Sequence, residues 1–178
     1  IHRRLVGSEM CIRDRLQIAR QPNSALPPDL LRLVRESISF AEELDNGAPG
    51  GPCWLHGDLH PSNILWDGQQ AAWRAIDPKG YRGPPVIALG RYLHNFLEDE
   101  LESLGQSVSN AARETLLQER VALMAREMGQ SETLLMLTVF IDLVLAVSWS
   151  VQSDSQTSFE RWHHLIQFAR EKALSAPV

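Results

Sequence analysis

The sequence predicts a mainly α protein with a small β-hairpin, on three observations. Apolar residues recur at helical spacing through nearly all of the chain after Pro85, and a separate amphipathic run precedes Gly47. Between them, from Cys53 to Ile76, the pattern changes to short strand-like runs around an Asp-Gly step. At 178 residues and 44% hydrophobic content the chain suits one globular unit with a real core. Its formal net charge of −5 argues against a nucleic-acid binder, whose footprint is a basic patch, and would suit a cationic substrate. Cys11 and Cys53 lie far apart with no metal-ligand spacing. That fits a reducing, cytoplasmic setting without a disulfide framework.

Taken in order, residues 1–15 are expected to be non-native or disordered. Val6 to Arg15 has no clear period and resembles a translated sequencing-adapter read-through. Ile12 to Pro22 gives only a thin, broken helical signal. Pro27-Pro28-Asp29 then starts a helix, with proline and an acid in the first turn. Leu30, Leu31, Val34, Ile38, Ala41 and Leu44 form its apolar stripe, and Asp45-Asn46-Gly47 ends it. Gly47 to Pro52 reads as a turn-rich linker.

Cys53-Trp54-Leu55 is a short strand. Ile64 to Trp66 and Ala71 to Ile76 form a hairpin across Asp67-Gly68-Gln69-Gln70, with the Asp-Gly step as its turn. Pro78 to Pro85 is expected to be irregular loop. Leu89, Leu93, Phe96, Leu97 and Leu101 make one helical stripe; Leu117, Val121, Met124 and Met128 make another, closed by Gly129. Thr133 to Trp149 is apolar nearly all round, which reads as a central buried helix. A membrane span is the alternative, but Asp142 would sit in its middle at real cost. Phe159, Trp162, Leu165, Ile166, Ala169 and Ala173 supply the last amphipathic helix. The five tryptophans are expected to pack the core and the hairpin.

The chemistry-bearing stretch is His56-Gly57-Asp58-Leu59-His60-Pro61-Ser62-Asn63-Ile64-Leu65, followed by Ile76-Asp77-Pro78. His56, Asp58, Leu59 and Asn63 match a kinase catalytic loop, H-R-D-L-x-x-x-N, with Gly57 in place of the arginine. The hairpin returns Asp77 to the side of Asn63, so that both can share one ion. Phosphoryl transfer needs positioning, charge neutralisation and one carboxylate near the acceptor hydroxyl. Asp58 is the candidate base, and Asn63 and Asp77 the candidate magnesium ligands, since that hard ion wants oxygen. His56 is expected to fix the loop backbone through a ring hydrogen bond. His60 is placed to touch phosphate or substrate, and Pro61 stiffens the turn between base and ligand.

This segment resembles the phosphotransferase loop of the aminoglycoside-kinase and choline-kinase group. Trp73-Arg74-Ala75-Ile76-Asp77-Pro78-Lys79-Gly80 is similar to the streptomycin 6-kinase and hydroxyurea phosphotransferase branch. The resemblance implies an ATP- and Mg2+-dependent transferase of protein-kinase-like α+β fold, with residues 16–178 as its helical C-terminal lobe holding the acceptor. Asp58 then matches the catalytic base, and Asn63 and Asp77 the metal ligands. The likeness is good from Pro52 to Leu97 and only general beyond. The branch often carries acids in a G-D-P-x-x-D pattern, but Gly83-Pro84-Pro85-Val86-Ile87-Ala88 has none. No glycine-rich loop and no strand lysine paired to a helix glutamate precede His56. The chain is therefore read as lacking its N-terminal nucleotide lobe, and expected to turn over little alone.

Several residues keep two readings. Lys79 reaches a phosphate or is a surface lysine. Glu98, Asp99, Glu100 and Glu102 attract a cationic aminosugar or are a solvated helix end. Asp142 meets substrate, or is a buried acid satisfied by backbone or arginine. His163 and His164 are adjacent on a helix and point apart, which argues against joint ligation. Two rival functions stand beside the kinase. His56-Gly57-Asp58-Leu59-His60 also resembles the metal-binding edge of metallophosphoesterases, and a kinase-like lobe can be a non-catalytic binding module. Aminoglycosides, hydroxyurea, choline, homoserine and sugar amines all offer a hydroxyl, so the acceptor stays open.

Overall fold

The computed structural model describes residues 27–47, 53–153 and 157–175. The expectations for residues 1–15, for Ile12 to Pro22, for Cys11 and for most of the Gly47 to Pro52 linker fall outside these. Six helices and two two-stranded sheets make up the described residues, mainly α with small β elements as predicted.

Helix α1 (Pro28–Gly47) opens with a proline and Asp29 in its first turn, where a missing N–H and a negative charge are both favourable. It buries Leu30, Leu33, Val34, Ile38 and Ala41. Leu33, absent from the predicted stripe, takes a core place, and Leu31 and Leu44 are only partly buried. Ser37 is also buried, and its hydroxyl donates to the Leu33 carbonyl at 2.8 Å.

Strand β1 (Cys53–Leu55) leads into the chemistry-bearing loop, which passes through a 3-10 turn at Pro61–Asn63. The predicted hairpin follows as β2 (Ile64–Asp67) and β3 (Ala72–Ala75), antiparallel from Ile64 opposite Ala75 to Asp67 opposite Ala72. Its turn is a four-residue loop, not a tight Asp-Gly step. Ala71 takes the positive φ of 48°, and Asp67 Oδ1 accepts from the Gln69 and Gln70 backbone N–H groups at 3.0 and 3.2 Å. An aspartate organises the turn as expected, through its side chain and not its glycine neighbour.

The stretch expected to be irregular loop contains a strand. β4 (Tyr81–Gly83) pairs antiparallel with β1, with Cys53 opposite Gly83 and Leu55 opposite Tyr81. Three residues between Gly80 and Pro84 show no alternation to read, and their partner lies far off in sequence. The tryptophan expectation holds for Trp162, packed partly buried against the core, and for the hairpin pair, but not for Trp54. Trp54, Trp66 and Trp73 are exposed (64%, 55% and 69%). Trp66 and Trp73 meet edge to face across the hairpin, and the Arg82 guanidinium lies over Trp54.

The single stripe from Leu89 to Leu101 is divided between α2 (Ala88–His94) and α3 (Leu97–Ser103). Leu93, Leu97 and Leu101 are buried as predicted, but Phe96 turns left-handed between the helices (φ 55°) and is only partly buried. Helix α4 (Asn110–Met128) is capped by Ser109, whose hydroxyl accepts from Ala112 N–H at 3.1 Å. Left-handed Gly129 (φ 62°) closes it, which a side chain would resist.

Helix α5 (Glu132–Ser153) is the central buried helix, with Leu135, Val139, Phe140, Ile141 and Val144 fully buried. Phe40 of α1 meets Phe140 edge to face at 6.3 Å. Helix α2 crosses α5 at backbone contact, for a Cβ at Gly90 would lie 2.4 Å from the Thr138 carbonyl oxygen. No helix among the described residues is long and apolar enough to cross a membrane. Helix α6 (Thr157–Leu174) packs Phe159, Leu165, Ile166 and Ala169 inward. Arg170 joins it to α1 through both Glu36 carboxylate oxygens (2.8 and 2.9 Å).

Glu98 is a second tie, reaching Arg113 of α4 at 2.7 Å and Arg161 of α6. Burial pushes its carboxyl up, but the Arg161 hydrogen bond and the Arg113 charge outweigh this and hold it below 4.5. A depressed folded value stabilises the fold fully above the unfolded value and is lost as pH falls through the folded one. Glu98→Gln should therefore lower the melting temperature at neutral pH by about 2–4 °C, for a network worth about 1 kcal/mol. Melts of both chains across the acid range should show that gap closing; a gap that holds or widens would refute the tie.

Candidate active site

The loop between β1 and the hairpin is built on backbone bonds. The His56 carbonyl accepts from Lys79 N–H at 2.8 Å and Gly80 N–H at 3.4 Å, closing the loop where β1 and β4 meet. The His56 ring bridges the same two segments: Nε2–H donates to the Ile76 carbonyl at 2.8 Å, and Nδ1 accepts from Asp58 N–H at 3.4 Å. That network assigns the neutral tautomer protonated on Nε2. His56 thus has the backbone-fixing part expected from the sequence. Gly57 takes φ 78°, a left-handed conformation that an arginine at this place would resist, which accounts for the departure from the kinase pattern.

Asn63 closes the other side. Its amide nitrogen donates to the Asp58 carbonyl at 2.9 Å, so its oxygen is the atom it can offer a cation. Ile76 N–H donates to the Asn63 carbonyl at 2.9 Å, which continues the hairpin ladder and sets Asp77 one residue further on. Asp77 has φ 55°, a left-handed conformation that aspartate tolerates better than most residues. The structure therefore brings Asp58, Asn63 and Asp77 together through the Asn63 side-chain bond to the Asp58 carbonyl, the Ile76–Asn63 backbone bond and the His56 ring bond to Ile76.

Lys79 and the His60 ring stand beside the carboxylates. Lys79 Nζ is 2.5 Å from Asp77 Oδ2 and 4.0 Å from Asp58 Oδ2. The hydrogen bond and charge of Lys79 hold Asp77 below its ordinary 3.8, so this exposed carboxylate is ionised well into acid. His60 Nε2 lies 3.9 Å from Asp58 Oδ2. All five residues singled out for the site thus lie on one loop system. Lys79 rests on a carboxylate there.

For magnesium, the donor chemistry fits: one ionised carboxylate and one amide oxygen, the remainder of the octahedron being phosphate and water. Among the described residues no group of three or more His, Cys, Asp or Glu side chains gathers to hold a metal, and this set does not need one. His164 pairs with Glu114 at 2.9 Å, and His163 meets Phe159 edge to face. In the acidic run, Glu98 is tied as described and Glu100 pairs with Arg120, so only Asp99 and Glu102 are an exposed helix face.

Sequence reasoning missed Phe96 and Arg120 at this site. The Phe96 ring lies against His60, centroids 5.8 Å apart, yet helical spacing assigned it to the core. Arg120 holds the corner that carries it, and nothing in periodicity marks a long arginine for that task.

Residues 10–77 match the model of the phosphotransferase enzyme family (APH), a stretch that takes in Asp58, Asn63 and Asp77 and less than half of the chain. Over it the chain is similar to phosphotransferases of the kinase type. Comparisons with curated proteins and with solved structures gave no match.

Proposed function

We propose that residues 16–178 are the C-terminal lobe of a cytoplasmic ATP- and Mg2+-dependent phosphotransferase acting on a hydroxyl of a small molecule. An aminoglycoside of the streptomycin kind, or a related cationic compound, is the acceptor class. The observation that carries this reading is the convergence of Asp58, Asn63 and Asp77 at kinase spacing on one tied loop. Mg-ATP, when bound, supplies the phosphoryl group and neutralises its charge. Asp58 would take the proton of the acceptor hydroxyl as that oxygen bonds to the γ-phosphorus and the bond from this phosphorus to the ADP oxygen breaks, with ADP as the leaving group. Asn63 and Asp77 would hold the metal, and Lys79, released from Asp77, would meet a phosphate oxygen. His60 stays beside the base.

A second reading, a kinase-like binding module without catalysis, draws on Lys79, whose ammonium already neutralises Asp77. Manganese separates the two. Mn2+ with ATP should broaden the amide resonances of Asn63 and Asp77 in the parent chain, and Asp77→Asn should weaken that effect at least about tenfold, as expected for loss of a charged ligand. Broadening in neither chain, in the presence of saturating nucleotide, would leave the binding module standing and the transferase reading without support.

A further inference from the structure

Among the described residues three other than glycine have positive φ: Ala71, Asp77 and Phe96. Ala71 lies in a hairpin turn and Asp77 in the site. Phe96 is the odd one, an aromatic residue at φ 55°, ψ 27° between two helices. Such a conformation is unfavourable for a residue with a Cβ, which approaches the following carbonyl oxygen. It persists only where its surroundings over-determine it, and such positions cluster at functional sites.

The surroundings here are built from three helices. Arg120 of α4 donates from Nη1 to the carbonyls of Leu93 (3.0 Å) and Asn95 (2.7 Å), and its other terminal nitrogen pairs with Glu100 of α3. Asn95 Oδ1 accepts from Phe96 N–H at 3.1 Å. Upstream, α2 is pinned to α5 by the Gly90 contact and by His94, whose Nε2–H donates to Asp142 Oδ2 at 2.6 Å. The corner therefore has little freedom, and it ends on the Phe96 ring against His60.

His60 needs such support. Its side chain is four-fifths buried (19% exposed), and Nδ1 is buried without a hydrogen-bond partner among the described residues. Nε2 lies 3.9 Å from Asp58 Oδ2, an ion-pair approach and not a hydrogen bond. Hydrogen bonds therefore do not set the direction of this ring, and packing must. We propose that Phe96 is a positioning residue: its ring, held by the Arg120 corner, orients the His60 imidazole so that Nε2 faces the Asp58 carboxylate. The inference rests on Asp58 being the base in the reaction proposed above.

The test uses the imidazole resonances of the full chain, assigned to His60 by His60→Gln. In the parent chain, nuclear Overhauser contacts between the Phe96 and His60 rings should be present, and their absence would overturn the proposal whatever the variants do. Phe96→Gly removes the ring while easing the backbone. It should move the His60 carbon-bound protons toward free-histidine positions and leave those of His163 and His164 in place; Phe96→Tyr should restore them. Unmoved His60 signals in a folded Phe96→Gly chain would overturn it.

Turnover gives a second reading. In a form of the protein that transfers phosphate, Phe96→Gly should lower kcat about tenfold to a hundredfold, with KM for Mg-ATP unchanged. It should lower it no further in a His60→Gln background; additive losses would overturn the proposal. If no form transfers phosphate, the reaction assignment fails, and the ring signals still decide the role of Phe96.

Discussion

With Asp58 as the proposed base, Asp58→Asn is expected to remove phosphoryl transfer and to leave the fold in place. Every structural bond of Asp58 runs through its backbone: N–H to the His56 ring, carbonyl from the Asn63 amide. Among the described residues its carboxylate has only the long approaches of His60 and Lys79, at 3.9 and 4.0 Å. Asparagine keeps the shape and cannot take a proton. In a form of the protein that transfers phosphate, kcat should fall between about a hundredfold and ten-thousandfold, the usual worth of a positioned base. Denaturant midpoints should stay within about 0.5 kcal/mol of the parent. Transfer that survives at more than a tenth of the parent rate would remove Asp58 from the role of base.

Asp142→Ala is the matching prediction for stability. Asp142 sits in the apolar α5 with its side chain 13% exposed, and its Oδ2 meets His94 and, at 3.0 Å, the Arg91 Nε. The arginine approaches without hydrogen-bond alignment, so the contact is one of charge. Truncation leaves the mostly buried guanidinium opposite a cavity. Breaking such a pair costs about 3 kcal/mol, the low end of the range because solvent still touches the arginine. Urea unfolding should show the midpoint falling with its slope unchanged. Asp142→Asn, which keeps a hydrogen-bond acceptor for His94, should recover part of the loss. A change under about 1 kcal/mol for the alanine variant would make the cluster incidental.

Asp142 also shows where sequence reading ends. An acid in an apolar helix announces a partner, but two partners one turn apart on α2 appear only once α2 crosses α5 at Gly90. The long helices were legible because 3.6-residue periodicity records one buried face in α1, α4 and α6, while α5 is apolar nearly all round. The division between α2 and α3 was not, since Leu93, Leu97 and Leu101 keep helical spacing across a left-handed Phe96. β4 was hidden because its only reason to be extended is β1, far off in the chain. At the site, Asp58, Asn63 and Asp77 were legible together. Their spacing and the hairpin between them are local, and local geometry is what a sequence states most directly. The proximity of Lys79 to both carboxylates depended on the His56 carbonyl bonds, and the Phe96 contact on a corner assembled from three helices.

The pairing of β1 with β4 closes the base of this loop, and the β2–β3 ladder closes its middle, while the turn Gly68 to Ala71 stands exposed at the far end. An exposed polar turn is where a chain tolerates interruption. A break there would place Asp58 and Asn63 on one fragment and Asp77 and Lys79 on the other, each with strands to find its counterpart. The site is thus divisible into complementary halves, and any activity it has would report their reunion.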